Sequence, residues 1–203
     1  MKARDIGAGG RNYQSCKASV VIPAKAGIQL GFSGLEGRRA PGGQRVGGKG
    51  QASYRDTPLW QALAAMRIEP EGAAATFARR LGRKQGWGKR HTYAVIEEYR
   101  RFLYLAATGD RPVTPSDDVD EAWHLHLTYT RHYWDELCGR ILGKPLHHDP
   151  TEGGAAQQAH FQDQYAATLA RYEAVFGEPP RADVWPAPGA PPRRPRRWPR
   201  LFG

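Results

Sequence analysis

The sequence predicts an all-α fold, a compact bundle of about five helices with extensions at both ends. Two observations predict this class. Between residues 57 and 186, apolar side chains recur at intervals of three and four positions, which is the spacing of one helical face. No stretch of the sequence alternates apolar and polar residues as a half-buried strand does. Glycine and proline cluster towards the ends, where linkers rather than core elements are expected.

The first two helices are predicted ahead of a glycine-containing break. Thr57 supplies a hydroxyl cap, and Pro58 takes the first helical position, where its missing N–H costs no hydrogen bond. The apolar residues of this first helix share one face and are Leu59, Trp60, Leu63 and Met66. The second helix covers about residues 73–84 and turns Phe77 and Leu81 inward.

The third helix is predicted between Gly88 and Gly109. Its apolar residues recur at helical spacing and are Tyr93, Ile96, Tyr99, Phe102, Leu103 and Ala106. The opposite face is charged and carries Glu97, Glu98, Arg100 and Arg101. This amphipathic pattern predicts that the first set packs inward and that the second faces solvent.

The fourth helix is predicted as one continuous element from Thr114 to a stop at residues 138–143. Acids follow a capping sequence in the first two turns, where the helix dipole favours negative charge. The apolar seam consists of Trp123, Leu127, Thr130, Trp134, Leu137 and Ile141. Because Trp123 and Trp134 lie about three helical turns apart, both are expected to be buried. The predicted core residues of this stretch are Trp123, Trp134, Tyr133 and Cys138.

The fifth helix is predicted from Ala155 to Phe176. Its apolar stripe consists of Phe161, Tyr165, Leu169, Tyr172 and Phe176. Gly177 is a natural C-cap, because glycine adopts the left-handed backbone conformation without steric cost. The prolines and Trp185 that follow predict a short extended segment that packs back on the bundle.

The net charge of +10 belongs to the ends of the chain rather than to its middle. Residues 1–56 contain 10 Lys+Arg and 3 Asp+Glu, residues 57–186 contain 15 and 17, and residues 187–203 contain 5 and none. The balances are therefore +7, −2 and +5. A basic groove built by the helical part is disfavoured, whereas a basic tail that contacts anions non-specifically stays open.

These patterns divide the chain into three parts. We interpret residues 1–56 as a disordered or mis-annotated N-terminal extension, 57–186 as the helical domain, and 187–203 as a disordered Pro/Arg-rich tail. Residues 20–28 resemble the translation of a palindromic repeat found between genes in some bacterial genomes, which would make this region an over-extended gene start. A short β-hairpin or a targeting arm is the alternative.

The composition indicates a cytoplasmic protein. No run of about 18 apolar residues exists, so no membrane span is expected. The first residues contain no apolar stretch of the kind that secretory signals have. Cys16 and Cys138 form neither a disulfide framework nor a four-cysteine zinc site, which favours a reducing compartment.

Side chains that can bind a metal ion or transfer a proton concentrate in the predicted fourth helix and the loop after it. Asp120 and His124 are four positions apart, so a helix places them on one face as a carboxylate–histidine pair. His126 lies about 200° around the helix from His124. An unpaired polar group in an apolar surround is costly. We therefore predict that the loop folds back and brings His147 or His148 into hydrogen-bond or metal-bridging reach of the helix.

Two interpretations of these residues stay open. In the first, a divalent metal such as zinc is held by Asp120, His124 and a loop histidine, although the spacing matches no established zinc pattern. The candidate ligands are Asp120, His124, His126, His147 and His148. In the second, the histidines hydrogen-bond to Asp120 and to the backbone and fix the loop to the helix. No cofactor motif and no catalytic residue is identified.

Two motifs carry a family resemblance. They are Asp120-x-x-Trp123-His124-x-His126 and, beyond Tyr133, Cys138 and a turn at Gly143, His148-Asp149. The motifs resemble the glycine-rich-domain-containing-protein-like family, formerly a domain of unknown function, and imply a bacterial member. The resemblance covers about residues 57–186, without the β-rich and glycine-rich C-terminal portions of the longer plant members. That family has no established catalytic residues, so the resemblance supports a site and leaves the reaction open.

Three functions from different classes follow. The first is a small helical binding or interaction module, with a His/Asp/Trp-lined polar site and a protein partner. The second is a metal-dependent enzyme of unnamed reaction that uses Asp120, His124 and a loop histidine. The third is an adaptor that contacts nucleic acid or an anionic surface through the basic C-terminal tail.

Overall fold

The computed structural model describes residues 53–149 and 155–190, except for the side chains of 155–158. Its elements are a 3₁₀ turn (Tyr54–Asp56), helices α1 (Pro58–Ala65), α2 (Phe77–Gln85), α3 (Lys89–Thr108) and α4 (Asp117–Leu127), a π-helix (His132–Leu142) and helix α5 (Ala155–Phe176). Every element in these residues is helical, which confirms the all-α prediction. Of the two predicted extensions, residues 1–52 and 191–203 lie outside the described residues. None of the described helices is long and apolar enough to cross a membrane.

Local sequence sets the start of α1. The Thr57 hydroxyl accepts a hydrogen bond from the amide of Trp60 at 3.2 Å, and Pro58 occupies the first turn, as predicted. The core begins ahead of this cap. The ring of Tyr54 packs edge-on against Trp60 and against Phe176, with centroids 4.9 Å and 4.7 Å away. Packed residues therefore precede the predicted start of the helical domain.

Helix α3 is the centre of the bundle and packs against α1, α2 and α4. Of the apolar residues predicted on its inner face, those that are buried are Ile96, Tyr99, Phe102, Leu103 and Ala106. Close packing against α2 depends on Gly82, because a Cβ there would lie 2.9 Å from the Thr92 hydroxyl oxygen. Gly86 then ends α2 with a φ of +69°, a conformation that glycine adopts without strain.

For two residues of α3, the burial predicted from the amphipathic pattern is wrong. Glu98, expected to face solvent, is 1% exposed, and Tyr93, expected in the core, is 53% exposed beside an open cleft. The returning C-terminal segment covers Glu98. The Tyr172 hydroxyl and the Trp185 indole N–H each donate to its Oε2 at 2.9 Å. Arg101, which is only 12% exposed, lies 3.9 Å from the other carboxylate oxygen, so the buried charge is paired.

The stretch predicted as the fourth helix forms two elements, so the prediction of one continuous apolar seam is wrong. Helix α4 stops before a short turn at residues 128 and 129, and the chain resumes at Thr130 as a helical segment that leads into the π-helix. The wider π turn places residues five apart on one side, which brings Tyr133 and Cys138 together in the core. Trp134 then points away and is 43% exposed, so its predicted burial is wrong. Trp123 is fully buried.

Helix α5 has the predicted bounds. Gly177 ends it with a φ of +70°, and its amide donates to the Glu173 carbonyl at 2.9 Å. The buried members of its apolar stripe are Phe161, Tyr172 and Phe176. Beyond the helix, Trp185 is buried and packs against Tyr165 and Tyr172, which confirms the predicted return onto the bundle.

Replacing each of two tryptophans by alanine tests which one the core depends on. Trp123→Ala removes a fully buried side chain and should lower the free energy of unfolding by about 3–5 kcal/mol. Trp134→Ala removes a side chain that is 43% exposed and should cost less than about 1 kcal/mol. Urea denaturation followed by circular dichroism measures both values. Equal losses would contradict the break between α4 and the π-helix.

Glu98→Gln tests the buried carboxylate beneath the C-terminal segment. Burial raises the pKa of Glu98 above its ordinary value of 4.5, and the opposing effect of Arg101 is smaller. A raised pKa means that Glu98 contributes most to stability below the ordinary pKa, and that this contribution is lost as the pH rises through the folded-state value. The stability of the wild-type chain relative to Glu98→Gln should therefore fall as the pH rises above the ordinary pKa of 4.5.

Urea unfolding at several pH values measures this difference. Glu97→Gln changes a 44% exposed carboxylate on the same helix and is the control. Its cost should stay below about 1 kcal/mol throughout, as expected for an exposed ion pair. A relative stability of the wild-type chain that rose with pH would show that burial does not dominate at Glu98.

Candidate functional site

Three side chains of metal-ligand type converge at the start of α4. His148 Nε2 lies 2.9 Å from Oδ1 of Asp120, and His124 Nδ1 lies 3.6 Å from Oδ2. One ligand atom from each residue falls within 4.8 Å of the others. The rings of His124 and His148 have centroids 4.3 Å apart. The structure thus confirms the predicted return of the loop, with His148 as the histidine that reaches Asp120.

The amino end of α4 positions Asp120 and His124. The Ser116 hydroxyl caps the helix by accepting from the Val119 amide at 3.3 Å, and the Asp120 amide donates to the Ser116 carbonyl at 2.8 Å. Asp120 therefore lies near the positive end of the helix dipole, which favours a carboxylate, and its side chain is 10% exposed. One turn later, His124 extends from the same face and is 34% exposed.

A chain of buried hydrogen bonds holds the loop that carries His148. The Trp123 indole N–H donates to the Tyr133 hydroxyl at 2.9 Å, and that hydroxyl donates to the Leu146 carbonyl at 2.5 Å. Two residues later, the ring of His148 packs against Trp123 with centroids 4.5 Å apart. Trp123 is therefore one wall of the site, and its N–H belongs to the network that positions the loop.

His126 lies outside this cluster, although its sequence position made it a candidate ligand. It is fully buried about 200° around α4 from His124. Its Nδ1 bonds to the Tyr99 hydroxyl at 2.9 Å, and its Nε2 bonds to His132 at 2.8 Å. Burial, together with the neighbouring His132, lowers the pKa of His126 to about 3. The sequence did not predict the contact between His126 and His132, because residues six positions apart on a continuous helix do not lie on the same face.

His147 also lies outside the cluster. Neighbouring side chains of an extended loop point to opposite sides, so one histidine of the pair faces inward and the other outward. His148 faces Asp120, whereas His147 is exposed and packs beside Trp134 with ring centroids 5.6 Å apart. Of the two loop histidines, only His148 is placed where it can bind the same metal ion as Asp120.

Cys138 is a packed core residue rather than an accessible nucleophile. Its side chain is 4% exposed, and burial raises the pKa of its thiol. The nearby Leu146 amide and Tyr133 hydroxyl lower that pKa by a smaller amount. A thiol with a raised pKa holds little thiolate at neutral pH, and the thiolate is the nucleophilic form.

The cluster of Asp120, His124 and His148 supports two kinds of chemistry. The carboxylate contacts both imidazoles and can orient them for proton transfer. The same side chains also offer one oxygen and two nitrogens, the donor set that proteins use for zinc and related divalent ions. In both cases, the partly exposed His124 gives access from solvent.

Comparison with known proteins supports the family resemblance. Residues 74–202, more than half of the chain, match the family described as UCP032817-like. Two Arabidopsis thaliana proteins are similar over 88 residues: Glycine-rich domain-containing protein 1 is 30% identical and Glycine-rich domain-containing protein 2 is 29% identical. The aligned stretch covers 41% of this chain and 11% of each plant protein, so the chain matches a small part of those relatives. No solved structure matches the chain.

Tyr133→Phe tests the hydrogen-bond chain behind the loop. It leaves the Trp123 indole N–H and the Leu146 carbonyl without the hydroxyl that joins them, and should cost at least about 2 kcal/mol of unfolding free energy. Tyr129→Phe is the matched control, because the buried Tyr129 hydroxyl has no hydrogen-bond partner among the described residues. Its effect should stay within about 0.5 kcal/mol. Urea unfolding measures both, and similar costs would refute the role assigned to Tyr133.

Proposed function

The chain belongs to the UCP032817-like family, and we propose that it acts as a helical module that binds a divalent metal ion, with zinc as the first candidate. Asp120, His124 and His148 are the proposed ligands. The observation that carries the proposal is their convergence within 4.8 Å from two separate elements. His126 and His147, the other candidate ligands, then act as core and surface residues.

The distances within the cluster suit an ion of this size. Zinc bonds of about 2.0–2.1 Å in a tetrahedral arrangement separate neighbouring ligand atoms by roughly 3.3 Å. The Asp120 oxygens lie 2.9 Å from His148 and 3.6 Å from His124, values on either side of that separation. All three ligand atoms lie within 4.8 Å of one another, so shifts on the order of 1 Å would bring them to the separation that one ion requires.

The surroundings of the cluster favour a cation. Asp120 places a negative charge at a site where its side chain is only 10% exposed. A carboxylate removed from water is costly unless it is paired, and a divalent ion would pair it. The ring of Trp123 covers one side of His148 and shields that side from water.

A metal-dependent enzyme is the second candidate, and the number of ligands favours it. Zinc with three protein ligands keeps one position for water or substrate, which is typical of catalytic rather than structural sites. A metal at such a site acidifies its bound water, so hydrolysis is the reaction class it would supply. His124, which is 34% exposed, would give a small substrate access to the cluster.

A closed polar clasp is the competing structural explanation. The hydrogen bond between His148 and Asp120 by itself satisfies two partly buried polar groups and ties the loop to α4. The clasp requires no metal, whereas the proposed function requires a stoichiometric one. Metal binding by the purified chain therefore separates the two explanations.

Two other predicted roles are an adaptor function and the binding of a protein partner. The adaptor function rests on the basic tail at residues 187–203. Of this tail, residues 191–203 lie outside the described residues, so the adaptor function stays a prediction. A protein partner for the helical domain likewise stays a prediction.

Zinc titration of the full-length chain, purified without a histidine tag, tests the metal site. We expect about one zinc per chain by elemental analysis, as for a single three-ligand site. Loss of a residue that only supports a ligand typically weakens metal binding about 10–100-fold. His124→Ala and His148→Ala each remove a proposed ligand, and each should weaken binding by at least that much in a chelator-competition assay.

His147→Ala is the matched control, because it removes the neighbouring, exposed imidazole that lies outside the cluster. It should leave zinc affinity within about twofold, since no ligand is lost. A wild-type chain without stoichiometric metal, but destabilised by His148→Ala, would support the clasp instead. Zinc affinity retained in His148→Ala would exclude the proposed ligand set.

A further inference from the structure

An open cleft of about 540 Å³ lies between the end of α2 and the start of α3. Its volume falls in the range of small-molecule sites, about 300–1,000 Å³. Three cationic side chains and two aromatic rings line it, namely Arg79, Arg83, Lys89, Trp87 and Tyr93. No carboxylate lines the cleft within the described part of the chain, and none of its residues belongs to the Asp120 cluster.

The cations of this cleft form no salt bridge with any described residue. Lys84, on the same helix, pairs with Glu121 at 3.1 Å, whereas Arg79, Arg83 and Lys89 have no such partner. Like charges held close together repel, so an anion between them would lower the electrostatic free energy. The charge balance of −2 over residues 57–186 disfavours a basic groove, but that sum conceals this local concentration of positive charge.

The aromatic rings of the cleft differ in how they are held. Trp87 is half-buried and packs edge-on against His91 with centroids 5.0 Å apart. His91 is in turn fixed by a 2.9 Å contact with Asp118. Tyr93 is 53% exposed. One ring is therefore anchored and the other is open to solvent, and both are available for stacking on a planar group.

Packing of α2 on α3 gives the cleft a rigid base. Gly82 lines it and lies so close to α3 that a Cβ would approach the Thr92 hydroxyl oxygen at 2.9 Å. The two helices cannot approach further at this point, and residues of both, among them Arg79 and Arg83 of α2 and Tyr93 of α3, line the one cleft.

We propose that this cleft binds a small molecule that joins a planar ring to a phosphate group, of the class of nucleoside monophosphates. Arginine side chains bind phosphate oxygens through two parallel hydrogen bonds, and lysine adds a point charge. Aromatic side chains stack on planar rings with little dependence on ring identity. The cleft carries both kinds of group, so it favours a ligand with both features over a bare anion or a neutral ring.

The ends of the chain do not offer the negative charge that the cleft favours. Residues 1–56 and 187–203 carry balances of +7 and +5. An acidic peptide would satisfy the cations but would leave the rings of Trp87 and Tyr93 without a planar partner. A nucleotide-like ligand satisfies both sets of side chains.

Calorimetric titration of the full-length chain with adenosine 5′-monophosphate tests the proposal. Arg83→Gln and Tyr93→Ala should each weaken binding roughly tenfold, because each removes either a charge-assisted hydrogen bond or a stacked ring. Arg90→Gln is the matched control, since Arg90 is exposed next to Lys89 but does not line the cleft. It should change the affinity by less than about twofold. Thermal melts of the variants establish that they are folded.

Titrations of the wild-type chain with other probes test the ligand class and do not depend on the variants. Inorganic phosphate and adenosine should each bind at least about tenfold more weakly than adenosine 5′-monophosphate. Equal binding of phosphate and the nucleotide, or no binding of the nucleotide, would overturn the proposal. A short 5′-phosphorylated RNA that bound more tightly, with a steep salt dependence, would overturn it in favour of a nucleic-acid surface. Equal losses in Arg83→Gln and Arg90→Gln would place binding outside the cleft.

Discussion

The buried hydrogen-bond chain from Trp123 through Tyr133 to the Leu146 carbonyl is the interaction on which the site end of this domain depends. It joins α4, the π-helix and the following loop, and all three residues are almost fully excluded from water. Because an unpaired buried polar group is costly, each of these elements holds the other two in place. The π-helix serves the same network, since its wide turn directs Tyr133 and Cys138 towards one point.

Helix α4 separates two histidine sites with different electrostatics. On its inner face, His126 bonds to Tyr99 within the core, and burial keeps the imidazole neutral. On its outer edge, Asp120 contacts His124 and His148, and the carboxylate favours a positive charge nearby. The inner site satisfies polar groups of the core. The outer site combines a negative charge with partial exposure, so it alone has the properties that a cation site requires.

The sequence by itself determined the features whose causes are local. Helix α5 has the predicted bounds and α1 begins at Pro58 after the predicted Thr57 cap, because capping and periodicity involve residues within one or two turns of each other. Asp120 and His124 share a face for the same reason. The return of the loop was also predictable from sequence, since a histidine pair that follows an apolar helix needs polar partners and the nearest ones lie at the start of that helix.

Only the tertiary structure decided which faces are covered. The charged pattern around Glu98 predicts exposure, yet Trp185, distant by 87 positions in sequence, packs over it and donates to it. The break after α4 turns Trp134 outward, although its spacing from Trp123 suits a buried seam. His148 rather than His147 faces the helix because the loop enters in one orientation. Burial depends on which remote segment lies above a side chain, and the residues within a few turns of that side chain do not contain this information.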